Sequence, residues 1–139
     1  MPLVEITAPS GALPGPAVAA VQKDVAGAVL KWMGLPQTDF FAGATWVYVR
    51  EAEKGSAATG APGVEPGFLV VVTPLKGFLD AERNEALAAE VTAIIQQAVD
   101  GEPVVWTVVN EVPEGFWAVN GSLTRRAKID ELIAEAAGR

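Results

Sequence analysis

The sequence predicts an α/β (α+β) fold: tandem β-α-β units forming a four-stranded sheet with two helices on one face, plus a C-terminal helix. Three observations lead there. A strand–turn–helix–strand–glycine pattern occurs twice, at a period of about 60 residues, as in a fused repeat. Within each copy the apolar spacing switches between the period of a strand and that of a helix. Each crossover is also short, and such a strand–helix–strand connection sets its strands parallel and right-handed.

The first copy begins with Leu3 to Thr7, a strand in which Leu3, Val4 and Ile6 are apolar and Glu5 faces out. Pro9, Ser10 and Gly11 break it. From Ala17 to Trp32 the residues Val18, Val21, Val25, Ala28, Val29 and Trp32 recur at spacings of three and four, which is helical. Pro14 and Pro16 fall before or at the first turn, where proline is tolerated, and Gly34 and Pro36 stop the helix. Trp46 to Arg50 is rich in aromatic and β-branched residues and reads as the returning strand. Tyr48 lies in mid-strand, which points to core packing. Gly55 to Gly67 is a loop or hairpin and the natural joint.

The second copy repeats the order. Phe68 to Thr73 is a strand, Pro74 to Gly77 a turn, and Asp80 an N-cap. Leu87, Val91, Ile94, Ile95 and Ala98 mark one helix face, and Val104 to Val109 is the returning strand. Gly115 to Gly121 is a second glycine-bounded hairpin or loop, and Thr124 to Ala137 an amphipathic tail helix. Gly11 matches Gly77, and Val47 to Glu51 matches Thr107 to Glu111, with an offset that puts a six-residue insertion in the first connection. The expected units are 1–66 and 67–139, forming one compact domain. The sheet face away from the helices has only the tail helix to cover it, so oligomerisation is expected there.

Composition removes several chemistries. The chain has no cysteine and no histidine, which excludes thiolate nucleophiles, iron–sulfur clusters and the commonest metal ligand. No metal site or cofactor is expected. Acid–base work falls to carboxylates, Lys, Tyr or a terminal amine. The net charge of −7 without any basic run argues against nucleic acid. Apolar stretches are strand-sized, short of the ~20 residues that span a bilayer. Met1 to Ile6 lacks the features of a signal peptide, so no membrane association and a cytoplasmic location are expected.

Met1-Pro2-Leu3-Val4-Glu5-Ile6, Leu75-Lys76-Gly77, and the run from Asn110-Glu111-Val112-Pro113-Glu114-Gly115-Phe116-Trp117 to Gly121 resemble the tautomerase superfamily. The chain is most similar to its fused 4-oxalocrotonate tautomerase-like members, with two units per chain. The resemblance implies a tautomerase/MIF-like fold and a homotrimer. It also implies that Pro2, exposed when Met1 is removed, is the catalytic residue. A neutral secondary amine can take a proton from the carbon beside a carbonyl and return it elsewhere. An apolar pocket lowers the pKa of such a group, and Trp46, Trp106, Phe116 and Trp117 are available to form one. In the second unit Phe68 stands opposite Pro2. Its nitrogen is an amide, so one site per chain is the maximum.

Simple 4-oxalocrotonate tautomerases grip a dicarboxylate with arginines after the first turn and at the second strand. Ala12 and Phe78 hold the turn positions here, and Trp46 and Trp106 the strand positions. The usual dicarboxylate is therefore not the expected substrate. Replacement cations are Lys76, where fused relatives such as malonate semialdehyde decarboxylase carry an arginine, and Arg125 and Arg126 at the start of the tail helix. Surface roles are the alternative for each. Trp117 matches a site-lining aromatic residue, with a core or interface tryptophan as the alternative, and Asn110 is a candidate oxyanion donor. Substrate-binding candidates are thus Lys76, Asn110, Trp117, Trp46, Trp106, Arg125 and Arg126. The expected activity is keto–enol isomerisation of a small 2-oxo acid or related carbonyl compound. The alternatives are a decarboxylase or hydratase of the same superfamily, or a non-catalytic trimeric binding or scaffold protein.

Overall fold

The computed structural model describes residues 1–138. Its main sheet comprises β1 (Leu3–Ala8), β2 (Trp46–Glu51), β3 (Phe68–Thr73) and β4 (Val105–Val109), in the order β2-β1-β3-β4. β1 is parallel to β2 and β3 to β4, while β1 and β3 meet antiparallel at the centre. The parallel pairs follow from the two short crossovers. The crossover helices α1 (Val18–Met33) and α3 (Ala81–Ala98) pack together over one face. Against them the sheet buries Val4, Ile6 and Ala8 of β1 and Phe68, Val70 and Val72 of β3. Each large apolar side chain so buried contributes about 1.5–3 kcal/mol.

Local chemistry sets the boundaries. α1 ends at Gly34, whose φ of 71° lets its N–H reach the carbonyls of Leu30 and Lys31, a left-handed stop that glycine adopts without strain. α3 begins at Asp80, whose carboxylate accepts the Arg83 N–H at 2.8 Å. Burial on α1 extends to Leu30 and Met33, beyond the stripe read from the sequence, whereas Trp32 is only half-buried.

The repeat reaches hydrogen-bond detail. The Gly11 N–H donates to the Glu51 carboxylate at 2.7 Å, and the Gly77 N–H donates to the Glu111 carboxylate at 3.0 Å. Beside these ties, the Ala52 N–H reaches the Ala8 carbonyl and the Val112 N–H the Pro74 carbonyl, both at 2.8 Å. The first tie spans 40 residues and the second 34. The extra length forms a short helix without a counterpart in the second half, α2 (Asp39–Gly43). Thr38 caps it by accepting the Phe41 N–H at 3.3 Å. Helical periodicity carries no signal over five residues; a threonine cap followed by Asp39 was the sign available.

β5 (Ala118–Val119) and β6 (Ser122–Leu123) form a hairpin across Asn120 and Gly121, at φ of 50° and 83°, the residue pair such tight turns favour. The tail helix is α4 (Arg126–Ala137), which buries Ile129. It leaves the second sheet face open, with Trp46, Tyr48, Leu69, Trp106 and Val108 exposed. Tyr48 thus corrects the expectation of core packing. The inward residues of β2 are Val47 and Val49, so the strand's alternation turns Tyr48 outward, under the guanidinium of Arg50 at 5.2 Å. Among the described residues no helix is long and apolar enough to cross a membrane.

Candidate active site

Pro2 is fully buried at the entrance to β1. Its carbonyl accepts the Trp46 N–H at 3.2 Å, so the first residue of β2 fixes its place. With Met1 attached, the Pro2 nitrogen is a tertiary amide and has no basicity. The terminal ammonium instead belongs to Met1, and it donates to the Ala44 carbonyl at 2.7 Å. Burial lowers the pKa of this amine from 8.0 to about 6.

Met1 closes on an apolar pocket formed with Met33, Leu35, Phe41, Leu75, Phe78 and Ile129, in which about 10 Å³ stays free. That is no more than the space of one water molecule. Four elements meet there. Met33 ends α1, Phe41 comes from α2, Leu75 and Phe78 flank the turn after β3, and Ile129 descends from α4. The turn of the second half reaches the start of the first because β1 and β3 are antiparallel, with Leu3 opposite Thr73. The insertion that distinguishes the first crossover therefore supplies both Phe41 and the Ala44 carbonyl.

Two cations adjoin this pocket at Phe78: Arg83 donates from Nη1 to its carbonyl at 3.3 Å, and Arg126 packs on its ring. The Arg126 guanidinium stacks 4.0 Å from the centroid of the Phe78 ring, a favourable cation–π contact. Its Nε donates to Asp130 at 3.0 Å and its Nη1 to the Gly77 carbonyl at 3.4 Å. Arg125, the residue before it, is exposed and turned toward Gly115. Lys76 is exposed in the turn after β3, held through its N–H to the Val112 carbonyl at 2.8 Å. Asn110 follows β4, exposed, with its N–H on the Val72 carbonyl at 2.9 Å. Trp117 is half-buried against the core and its carbonyl accepts the Thr124 N–H at 2.8 Å.

The structure thus brings Pro2 together with Trp46 through the backbone, and sets Arg126 behind Phe78. It does not bring Trp106 or Phe116 to the terminal amine, contrary to the expectation that they help desolvate it. Trp106 pairs with Leu69, which lies opposite Thr7, at the far end of the sheet from Pro2. Phe116 is 79% exposed. The residues that gather around Met1 are Met33, Leu35, Phe41, Leu75, Phe78 and Ile129, which the sequence did not single out for that role. In the second half the residue that occupies the place of Pro2 is Phe68. It is buried, and its N–H donates to the Val104 carbonyl at 2.9 Å, so no free amine exists there.

No protein-family model matches the chain, and no curated protein matches it. Solved structures do. A native fused 4-OT aligns with a TM-score of 0.71 at 19% identity, over 99% of both chains. Pt0534 inactivated by 2-oxo-3-pentynoate aligns at 0.72 and 21%, again over 99% of both chains. Q0 fused 4-OT, a symmetric trimer, aligns at 0.68 and 21% over the same shares. The fold is that of a fused tautomerase. The doubled unit is therefore matched in three dimensions along nearly the whole chain.

A tautomerase fold carrying this buried amine has a pH signature. In the unfolded chain the Met1 amine takes up its proton below its ordinary pKa of 8.0; in the folded chain it does so only below about 6. Between these values the unfolded state binds more protons, so stability rises with pH. The chain has no histidine to mask this. The melting temperature of the Met1-bearing protein is expected to climb from pH 6 to pH 8, and acetylation of the terminal amine to flatten the climb. An equal slope in the acetylated protein would contradict the assignment.

Proposed function

We propose that this chain is a cofactor-independent keto–enol tautomerase of a small 2-oxo acid or related carbonyl compound, with Pro2, N-terminal once Met1 is removed, as general base and then general acid. The observation that carries the reading is the apolar pocket around the chain's terminal nitrogen. Burial lowers the pKa of the Met1 amine from 8.0 to about 6, and Pro2, one residue further in, is itself fully buried. A neutral amine at neutral pH removes a proton from the carbon beside the carbonyl and returns it to the other end of the enolate. Arg126, Arg125 and Lys76 are the candidate partners for the substrate's anion, and Asn110 the candidate donor to the enolate oxygen. Trp46 and Trp117 are the candidate aromatic surfaces of the same chain, and Trp106, at the other end of the sheet, one that only a neighbouring subunit of the trimer would bring. With Phe68 in the second unit (67–139), the base belongs to the first (1–66) alone.

The assembly in this reading is a homotrimer, like that of Q0 fused 4-OT. It would cover Trp46, Tyr48, Leu69, Trp106 and Val108, which the single chain leaves exposed. The reading places the protein in the cytoplasm. A second reading, a non-catalytic trimeric scaffold, draws on the fit of Met1 itself: a methionine seated this well and left in place would close the site.

The test begins with intact mass. The purified protein is expected to be lighter by one methionine residue. It is then treated with 2-oxo-3-pentynoate, an activated alkyne whose conjugated carbon accepts an amine. The nitrogen–carbon bond forms, the amine's proton passes to the adjoining carbon, and nothing leaves. Peptide mapping should place the adduct on Pro2, and ultraviolet assay should show ketonisation of phenylenolpyruvate. Retained methionine together with an absent adduct would leave the scaffold reading standing.

A further inference from the structure

Resting on the tautomerase reading, we infer that Thr45 is a positioning residue for Pro2: its buried hydroxyl holds the corner between α2 and β2, and that corner holds the start of the chain. Among the described residues Thr45 is the only polar one that is buried as a whole. It lies between two backbone groups that grip the first two residues. The carbonyl before it, on Ala44, accepts the terminal ammonium of Met1 at 2.7 Å, and the N–H after it, on Trp46, donates to the Pro2 carbonyl at 3.2 Å. The Thr45 hydroxyl itself donates to the Phe41 carbonyl at 2.8 Å, while its N–H donates to the Ala42 carbonyl at 3.1 Å. Phe41 is therefore held at both ends, since its own N–H donates to the Thr38 hydroxyl at 3.3 Å. The ring of this same residue walls the pocket beside Met1. One hydroxyl thus fixes an apolar wall of the site and the backbone that seats Pro2.

The second half provides the contrast. Leu3 pairs with Trp46 as Leu69 pairs with Trp106, so Phe68, Val104 and Val105 stand where Pro2, Ala44 and Thr45 do. There the ladder is complete, with the Phe68 N–H on the Val104 carbonyl at 2.9 Å. Proline in a chain has no N–H to make that bond, so β1 begins without the tie that seats β3, and the Ala44 carbonyl goes to the terminal amine instead. A strand start that lacks a ladder bond depends on the rigidity of the backbone beside it. α2 and the Thr45 hydroxyl supply that rigidity. Neither has a counterpart in the second half, where Val105 carries no hydroxyl and no free amine needs placing. Losing the hydroxyl would leave the Phe41 carbonyl without its partner in a buried corner, which favours a rearrangement of that corner.

The substitution to make is the one the repeat already contains, Thr45→Val, which keeps the shape and removes the donor. On the Met1-free protein it should lower kcat for phenylenolpyruvate ketonisation about ten- to hundred-fold with KM changed little, the effect of a base displaced by about 1 Å. Labelling of Pro2 by 2-oxo-3-pentynoate, followed against pH, reads the amine itself, because only its neutral form adds to the alkyne. A loosened corner admits water, so the labelling midpoint should move up by about half a unit or more as desolvation weakens. The charged groups at the pocket, Arg83 from α3 and Arg126 from α4, both at Phe78, keep their charge throughout. Thr45→Ser restores the donor and should recover most of the rate and the midpoint. Thr107→Val removes from β4 a buried hydroxyl that has no partner and should move neither. Thr38→Ala, which frees the other end of Phe41, should shift both readouts the same way by less, and it carries the test if circular dichroism shows Thr45→Val unfolded. Wild-type kcat and midpoint in Thr45→Val, or in Thr38→Ala in its place, overturn this inference alone, as does an equal loss in Thr107→Val. No label on Pro2 of the wild type overturns the tautomerase reading, and this inference with it.

Discussion

A chain extended by a short tag ahead of Met1 is expected to lose about 10²–10⁴-fold in kcat for phenylenolpyruvate ketonisation relative to the processed chain, the range a positioned general base contributes. The tag turns the reacting nitrogen into an amide, and nothing nearby can replace it. The protein has no histidine or cysteine. The pocket walls contain no titratable group, and the two cations at Phe78, Arg83 and Arg126, cannot serve as a base because a guanidinium stays protonated. Pro2→Ala should be milder, about ten- to hundred-fold, because methionine removal still leaves a terminal amine in the same burial, though a primary one without the ring that fills the entrance to β1. The order wild type, then Pro2→Ala, then tagged protein is the diagnostic result. A tagged protein as active as the processed one would remove Pro2 from the mechanism.

How much of this was legible in the sequence depends on the length scale of each signal. The sheet and both long helices were readable because their signals repeat along many residues: alternation in Leu3 to Ile6 and Phe68 to Thr73, and helical spacing from Val18 to Trp32 and Leu87 to Ala98. Asp80 and Gly34 were readable because a cap and a stop demand specific residue types. The Gly11–Gly77 and Glu51–Glu111 matches, visible as letters, turned out to be the same hydrogen bond made twice. Short and non-local features were not readable. α2 is too short to show a period, and the pocket gathers Met33, Phe41, Leu75, Phe78 and Ile129 from four places that only the antiparallel β1–β3 pairing unites. The tryptophans misled for the same reason. Trp46 and Trp106 are equivalent in the repeat, yet the two halves are related by a reversal, which carries Trp106 to the opposite end of the sheet from Pro2. Arg126 is a candidate cation from sequence alone; its contact with Phe78 at the pocket wall depends on the fold.

Removing Met1 should make the protein less stable while making it active. Deleting a fully buried methionine side chain costs about 2–5 kcal/mol; Met1 is only half-buried, so a loss of about 1–3 kcal/mol is expected. For a domain of this size that lowers the melting temperature by about 4 °C per kcal/mol. Calorimetry on the same preparation before and after methionine aminopeptidase treatment measures it. The cavity so created is apolar and close to the size of the group that left, so a ligand that fills it should restore what was lost. At 100 times its Kd, 2-oxohexanoate would return about 2.7 kcal/mol to the processed chain and nothing to the Met1-bearing one, whose pocket is already full. A shift in both forms would place the ligand elsewhere. A processed chain that melts no lower would mean that Met33, Phe41 and Ile129 collapse into the space, leaving no chamber for a substrate. Stability is thus expected to be lowest in the form that works, as happens where an active site requires an unfilled apolar cavity beside a desolvated amine.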